Sequence, residues 1–338
     1  MQNATRQKYL AFAIRVAVLN GVDSVESKFS VTPSVQQTIE TLLQASSAFL
    51  SKINIISRTE QEGAKVGLGV SGTIAGRTNT RTKARTPRDV SDLKSKGYRC
   101  EKTNFDTAIP YELIDAWAKF PDFQTRLRDA ILKRQGLDRI LIGFNGTHVA
   151  ADTDRDAFPL LQDVNIGWLQ HIRTDAPTHW MKEGAVGSGK IVVGTAAGAD
   201  YANLDALVYD AVMLLDEPYR DATDLVAICG RTLLHEKMLA KINRDQRATD
   251  ELASDILIAS ETIGGLPAIR VPGFPDNAVL VTPLSNLSIY WQEGARRRML
   301  RDKPELDQIE NYESSNDAYV VEQYGTVALF ENIQLKNA

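Results

Sequence analysis

The 338-residue chain is poor in almost every mark of chemical or membrane function. It has two cysteines, Cys100 and Cys229, far apart in sequence. They form no Cys-x-x-Cys and no disulfide framework, a usage that suits a reducing compartment. There the three Asn-x-Ser/Thr matches, at Asn3, Asn145 and Asn286, carry no glycosylation meaning. The four histidines, His148, His171, His179 and His235, show neither His-x3-His nor His-Glu-x-x-His spacing, and the nearer cysteine, Cys229, stands alone six residues before His235. A zinc site is therefore not legible. No serine stands in Gly-x-Ser-x-Gly, so no nucleophile elbow is recognisable. The sequence assigns no catalytic, cofactor-binding or metal-binding residue.

No apolar run approaches the roughly 18 residues of a spanning helix. The run from Tyr9 to Ile14 follows Arg6 and Lys8, but Arg15 interrupts it, and Asn20-Gly21 ends a helix rather than offering a secretory cleavage site. The formal net charge is −4, which excludes a chain that is basic as a whole; any affinity for nucleic acid must be local.

What is present is unevenly distributed. Residues 4–19 read as an amphipathic helix with Tyr9, Phe12, Val16 and Leu19 on one face and Asn20-Gly21 as its stop. Thr32-Pro33 opens a second helix, threonine as N-cap and proline in the first turn. Residues 1–28 are thus either a detachable prefix or a helix packed on the body. Between about Glu62 and Arg99 lies a long Gly-rich, basic, weakly hydrophobic stretch flanked by alternating limbs, read as a two-stranded β-arm with a polar tip. Asp122 is expected to cap the longest helix, ending at Asn145-Gly146 and spanning more than about 30 Å at about 1.5 Å per residue. A helical segment is expected over 160–180, a helix from Asn203, a strand at Leu225–Cys229 and a helix over Gly230–Ile242. Short strands follow, among them Arg296–Arg301, Asp307–Tyr312, Tyr319–Val321 and Val327–Ile333. Helices and strands are segregated, an α+β pattern.

Two glycine motifs resemble phosphate cradles. Gly67-Leu68-Gly69-Val70-Ser71-Gly72 matches G-x-G-x-x-G, yet the residues after it have no apolar helical face for a pyrophosphate-binding helix. Gly184 to Lys190 matches G-x-x-x-x-G-K, but Ile191 stands where a Ser or Thr would hold magnesium, and a strand follows instead of a helix. A hairpin turn is the expected form. Two basic clusters remain: the arm tip, Arg77, Arg81, Lys83, Arg85 and Arg88, and a second set, Arg296, Arg297, Arg298, Arg301 and Lys303. Both could meet phosphates, which makes a nucleic-acid-binding protein the alternative reading. Neither has the interleaved aromatics of a single-strand platform. Both could equally meet acidic faces of identical neighbours.

The order of prefix, β-arm, long helix and strand-rich remainder resembles the phage shell architecture known as the Hong-Kong-97-type fold. Lys52-Ile53-Asn54-Ile55, Ile142-Gly143-Phe144-Asn145-Gly146, the run Leu161 to Gln170, the run Leu266 to Pro272, and Glu310-Asn311-Tyr312-Glu313-Ser314 resemble the major capsid proteins of P-two-type tailed phages, the peduoviruses. The similarity runs from about Thr5 to Ile333. It implies a structural protein that forms pentamers and hexamers of an icosahedral shell around double-stranded DNA. It implies a scaffold-like prefix over 1–29, an N-arm over 30–56 and an extended E-loop hairpin over 57–109. A peripheral domain over 110–199 would carry a spine helix at 122–144, with an axial domain over 200–277 and return strands over 278–338. By the same resemblance the prefix is removed near Lys28-Phe29-Ser30. The implied partners are further copies of the chain, a scaffolding and maturation protease, a portal protein and, weakly, packaged DNA; the implied place is the virion, assembled in the bacterial cytoplasm. No cofactor and no membrane are implied.

Overall fold

The computed structural model describes residues 1–64, 75, 77–85, 97–118, 120, 122–235 and 262–336. Helix α1 (Asn3–Asn20) ends as its sequence predicts, at Gly21 with φ +63°, whose N–H turns back to the Ala17 and Val18 carbonyls. Glycine adopts this left-handed conformation without a Cβ penalty. Asn20 then links two elements: its Nδ2 donates to Val16 O at 2.8 Å, and its Oδ1 accepts the N–H of Thr32 at 3.1 Å. Thr32 does precede α2 (Pro33–Ala45), but its side chain caps nothing. Asp122 likewise precedes α4 (Phe123–Asn145) without capping it, pairing instead with Arg126 at 2.8 Å. Between them in sequence lies the short α3 (Tyr111–Trp117).

Two sheets divide the body. The larger one is built on the 14-residue strand β15 (Gln308–Val321). Its first half pairs with β14 (Arg297–Lys303) and β6 (Thr107–Pro110); its second half pairs with β13 (Leu287–Gln292) and β5 (Glu101–Asn104). The edges are β1 (Phe29–Ser30) on β14 and β2 (Asn54–Arg58), parallel to β13. Strands expected separately at Asp307–Tyr312 and Tyr319–Val321 are therefore one. The polar run Glu313–Asp317 between them looks like a break in sequence, but all of it except Asn316 is buried.

The second sheet runs β10 (Thr262–Ile263), β11 (Leu266–Ile269), β9 (Leu225–Cys229), β12 (Val279–Pro283), β16 (Ala328–Phe330) and β7 (Trp180–Met181). Helix α6 (Leu204–Met213) covers it with Leu207, Val208 and Ala211, and Asn203 caps that helix by accepting the Ala206 N–H at 2.8 Å. The expected strand Val327–Ile333 divides at Asn332, φ +58°, into β16 and β17 (Ile333–Leu335), the latter parallel to β8 (Ile191–Val193). The helix expected over Gly230–Ile242 is described only as far as residue 235.

One hydrophobic core joins side chains of both sheets, among them Ile289, Tyr319, Ile228 and Leu280, to α4 and to α5 (Trp168–Asp175). Trp168 is fully buried, its ring edge-on to Phe144, Phe49 and Tyr319, and its Nε1 donates to Ser288 O at 2.9 Å. Gly143 makes this approach possible: a Cβ there would lie 2.2 Å from the indole. The helix expected over 160–180 shrinks to α5, with a 3-10 turn after it. Leu161 has φ +59°, and the side chains of Asp163 and Asn165 accept backbone N–H groups of Asp154 and Ile166, a local alternative to helix.

Candidate assembly surfaces

The arm leaves the larger sheet through β3 (Glu62–Ala64) and β4 (Gly97–Arg99), which pair over three residues each. Tyr98 anchors this base, its ring 5.0 Å from that of Tyr290, while the Arg58 guanidinium lies 4.2 Å from the Tyr290 centroid. Farther out, Arg77, Arg81, Lys83 and Arg85 are all exposed. Asn79 forms a turn among them: its Oδ1 accepts the Arg81 N–H, and its carbonyl accepts those of Thr82 and Lys83. Arg88 and the Gly67–Gly72 motif lie outside the described residues.

The second basic cluster is not a surface. Arg296 is 0 % exposed. Its Nη1 lies 2.7 Å from Glu40 Oε1 and its Nη2 2.5 Å from Glu313 Oε1. Arg139, 1 % exposed, pairs Nη1 with Glu40 Oε2 at 2.5 Å and Nη2 with Asp317 Oδ1 at 3.0 Å. Gln135 accepts from Arg296 Nη2 and donates to Glu313 Oε2, and Ser315 donates to Asp317. The network ties α2, α4, β15 and the residue before β14 together. Of the other cluster members, Arg298 donates to Asn311, Arg297 donates to Ser30, and Lys303 pairs with Glu310 at 2.9 Å; only Arg301 is exposed. The sequence shows five cations in eight residues, but not the carboxylates that come from elsewhere to meet them.

Electrostatics follows this geometry. Burial works to raise the pKa of Glu313, but Arg296 and Arg298 outweigh it and hold the carboxyl at about 2. Asp317 moves the other way: burial raises it, against the pull of Arg139 and with added repulsion from Glu40. Arg139 is raised in spite of burial by Asp317 and Glu40.

Lys28, Phe29 and Ser30 sit where the prefix meets the body. Phe29 and Ser30 form β1, in register with Arg298 and Arg297, and Val31 N–H donates to Arg296 O at 3.0 Å. Phe29 is buried, while Lys28 and Ser30 are exposed. The prefix is docked: Tyr9 of α1 packs with Ile109, Tyr111 and Ile309, and Val16 and Ala17 pack with Phe29, Val31 and Leu300. A second face of α1 stays open, with Leu10 (51 %), Ile14 (63 %) and Val18 (74 %) exposed. Their i, i+4, i+8 spacing is a signal available in the sequence, whereas Leu19, grouped with the buried face, is exposed.

The remaining motifs are self-contained. In Gly184–Lys190 the N–H groups of Gly187 and Gly189 both donate to Glu183 Oε2 at 3.1 Å, so the chain's own carboxylate takes the place a phosphate would need. The hairpin expected here does not form: the segment turns, but the flanking β7 and β8 pair with β16 and β17 in different sheets. Both cysteines are buried, and burial, with Asp317 adding, pushes the Cys100 thiol up to about 12. Among the described residues no helix is long and apolar enough to cross a membrane.

Comparison with known proteins agrees with this architecture. The family described as "Phage major capsid protein, P2 family" matches residues 8–333. A relative named "Capsid proteins" from Escherichia phage P2 is 47 % identical over 344 residues, 99 % of this chain and 96 % of its own. The major capsid protein of Serratia phage KSP20 is 41 % identical over 98 % of this chain and 97 % of its own. Among solved structures, a chain of the satellite phage P4 procapsid that includes the size-determination protein Sid is 44 % identical, with a TM-score of 0.79 over 100 % of this chain and 99 % of that one. A capsid chain of a native GTA particle, 14 % identical, superposes with a TM-score of 0.50 over 86 % of this chain and 91 % of that one and shares the fold alone. The fold is the Hong-Kong-97-type capsid fold, the arginine run at 296–303 offers no support for a nucleic-acid-binding alternative, and the chain belongs to the P2 family of phage major capsid proteins.

Proposed function

We propose that copies of this chain form pentamers and hexamers that close into an icosahedral shell around phage double-stranded DNA, assembled in the bacterial cytoplasm. The observation that carries this reading is the match to a procapsid subunit along the entire chain. Closure needs one surface of a subunit to bind a different surface of the next, a heterologous contact that repeats into rings. In this reading residues 57–109 are the E-loop that lies over a neighbour, with Arg77, Arg81, Lys83, Arg85 and Arg88 meeting its acidic surface. Residues 30–56 are the N-arm, 110–199 the peripheral domain and 200–277 the axial domain, with 278–338 returning through both. A portal protein occupies one vertex, and DNA is touched weakly and without sequence preference, as suits a subunit of charge −4.

Residues 1–29 are a scaffold-like prefix removed by a maturation protease near Lys28-Phe29-Ser30. A protease needs an extended, unpaired segment, and β1 is paired with β14 with Phe29 buried. Cleavage therefore follows local release of β1. Electron microscopy of the purified chain, with intact mass after coexpression with the phage protease, tests both parts. Rings or shells and loss of roughly the first 29 residues are expected; a chain that stays monomeric at high concentration defeats the shell reading, and an uncut chain in formed shells defeats the prefix reading alone.

A further inference from the structure

The connection from α4 to α5 contains Asp152-Thr153-Asp154-Arg155-Asp156-Ala157-Phe158-Pro159-Leu160-Leu161-Gln162-Asp163. Aspartates occupy positions one, three, five and twelve of these twelve residues, the spacing at which a calcium loop gathers its oxygen ligands. Four carboxylates face one guanidinium, Arg155, in this stretch. Spacing and charge describe many solvated loops and make no site by themselves.

A second observation concerns Asp163. It is 1 % exposed, in contrast to the exposed Asp152, Asp154 and Asp156. One of its oxygens, Oδ2, accepts the Asp154 N–H at 2.8 Å, which turns the carboxyl into the loop. The other, Oδ1, is buried and has no hydrogen-bond partner among the described residues. A buried carboxylate oxygen left unsatisfied is costly, and a cation or a water is what would relieve it. The loop is also closed at its base, where Gln162 O accepts the Thr147 and His148 N–H groups and Asp163 O accepts that of Ala150.

We propose that residues 152–163 bind a hard divalent cation of the calcium class, with Asp163 as the buried anchor and Asp152, Asp154 and Asp156 as the exposed ligands. Among the described residues no three side chains of metal-binding type already converge on one point, so binding requires the exposed aspartates to swing inward. Asp154 has one oxygen committed to the loop, since its Oδ1 accepts the Asp156 and Ala157 N–H groups at 3.0 Å; its second oxygen is the one for the ion. Two departures weaken the site. Ala157 stands where calcium loops place a turning glycine, and Asp163 is one methylene shorter than the glutamate that chelates from position twelve. Both place the expected dissociation constant at the weak end, about 10⁻⁴ to 10⁻³ M.

The test is calorimetric titration of the full-length chain, freed of metal with chelator, using calcium chloride alone as the probe. The expected result is saturable binding of one ion per chain, weakened at least about tenfold in the double variant Asp152→Asn/Asp156→Asn, as befits removal of two anionic ligands. Those positions are exposed, so the double variant should melt with wild type in chelator, which separates lost ligation from lost folding. Asp163→Asn should abolish binding. Absence of saturable heat up to about 10 mM calcium, an excess over the weakest expected constant, overturns the proposal and assigns the orphan oxygen to a water. Equal binding by wild type and the double variant overturns it as well.

Discussion

Arginine appears in this molecule in two opposite physical situations. Arg139 and Arg296 are sealed in the body between Glu40, Glu313 and Asp317, each at most 1 % exposed. Arg77, Arg81 and Arg85 stand on the arm with their surfaces open to water. The buried pair is bound to one fold, because taking a guanidinium out of water is tolerated only where carboxylates already wait for it. The exposed set costs the monomer nothing and commits it to nothing, so it is free to select a partner. A cluster of cations in sequence does not distinguish these cases.

The contrast breaks most sharply at the network. Arg139→Ala and Arg296→Ala should each destabilise the monomer by about 3–5 kcal/mol, since removing one partner leaves buried charge uncompensated. Thermal or urea unfolding reads this, and melting like wild type would mean that the network is solvated. Acid is the next largest perturbation. The Glu313 carboxyl is depressed to about 2, so its contribution is complete above the ordinary glutamate range and is lost as pH falls toward 2. The shift from 4.5 corresponds to about 3 kcal/mol. Asp317, raised, acts with the opposite sign: the fold holds its proton more tightly, so stability is lost as pH rises through its folded value. Glu313→Gln should therefore flatten the acid limb of a stability–pH curve; an unaltered limb would assign acid sensitivity to other groups.

The arm should behave in the reverse manner. Deleting residues 72–94 is expected to leave the melting temperature of the monomer close to wild type while abolishing particles in micrographs; an unfolded product would make the arm part of the core. Reversing Arg77, Arg81, Lys83 and Arg85 to glutamate should shift monomer stability least, within about 0.5 kcal/mol. The same change should slow assembly followed by light scattering, and retention of wild-type assembly kinetics at low salt would show that these cations contact nothing.

Much of the architecture was legible because helix ends carry chemistry. Asn20-Gly21, Thr32-Pro33, Asn203 and Asn145-Gly146 mark boundaries where the chain does turn. The misses share a cause. Glu313 to Asp317 reads as a gap between two strands because buried charge leaves no apolar alternation, yet it lies in the middle of β15. Arg296 reads as surface for the same reason, since Glu40 is 256 residues away in sequence. The region before α5 reads as helix because Leu161, Val164 and Trp168 have helical spacing, while the hydrogen bonds of Asp163 and Asn165 that divert it have no periodic signature. The expected cluster at the arm tip did emerge as exposed for its four described members, but a contact with another molecule would leave no mark in one chain's periodicity.

The docking of α1 has a consequence for the proposed removal of the prefix. While the chain is intact, α1 is tethered to α2 by the few residues between Asn20 and Pro33, and every detachment is followed by recapture from a high effective concentration. A cut in that tether leaves each contact of Tyr9, Val16 and Ala17 in place and removes only the recapture. From then on a departing helix is diluted into whatever volume surrounds it, and rebinding becomes a bimolecular event. Hydrolysis of one bond, once β1 is released, would thus act as a ratchet, turning a reversible fluctuation of the prefix into a permanent loss without any change in the strength of the interface.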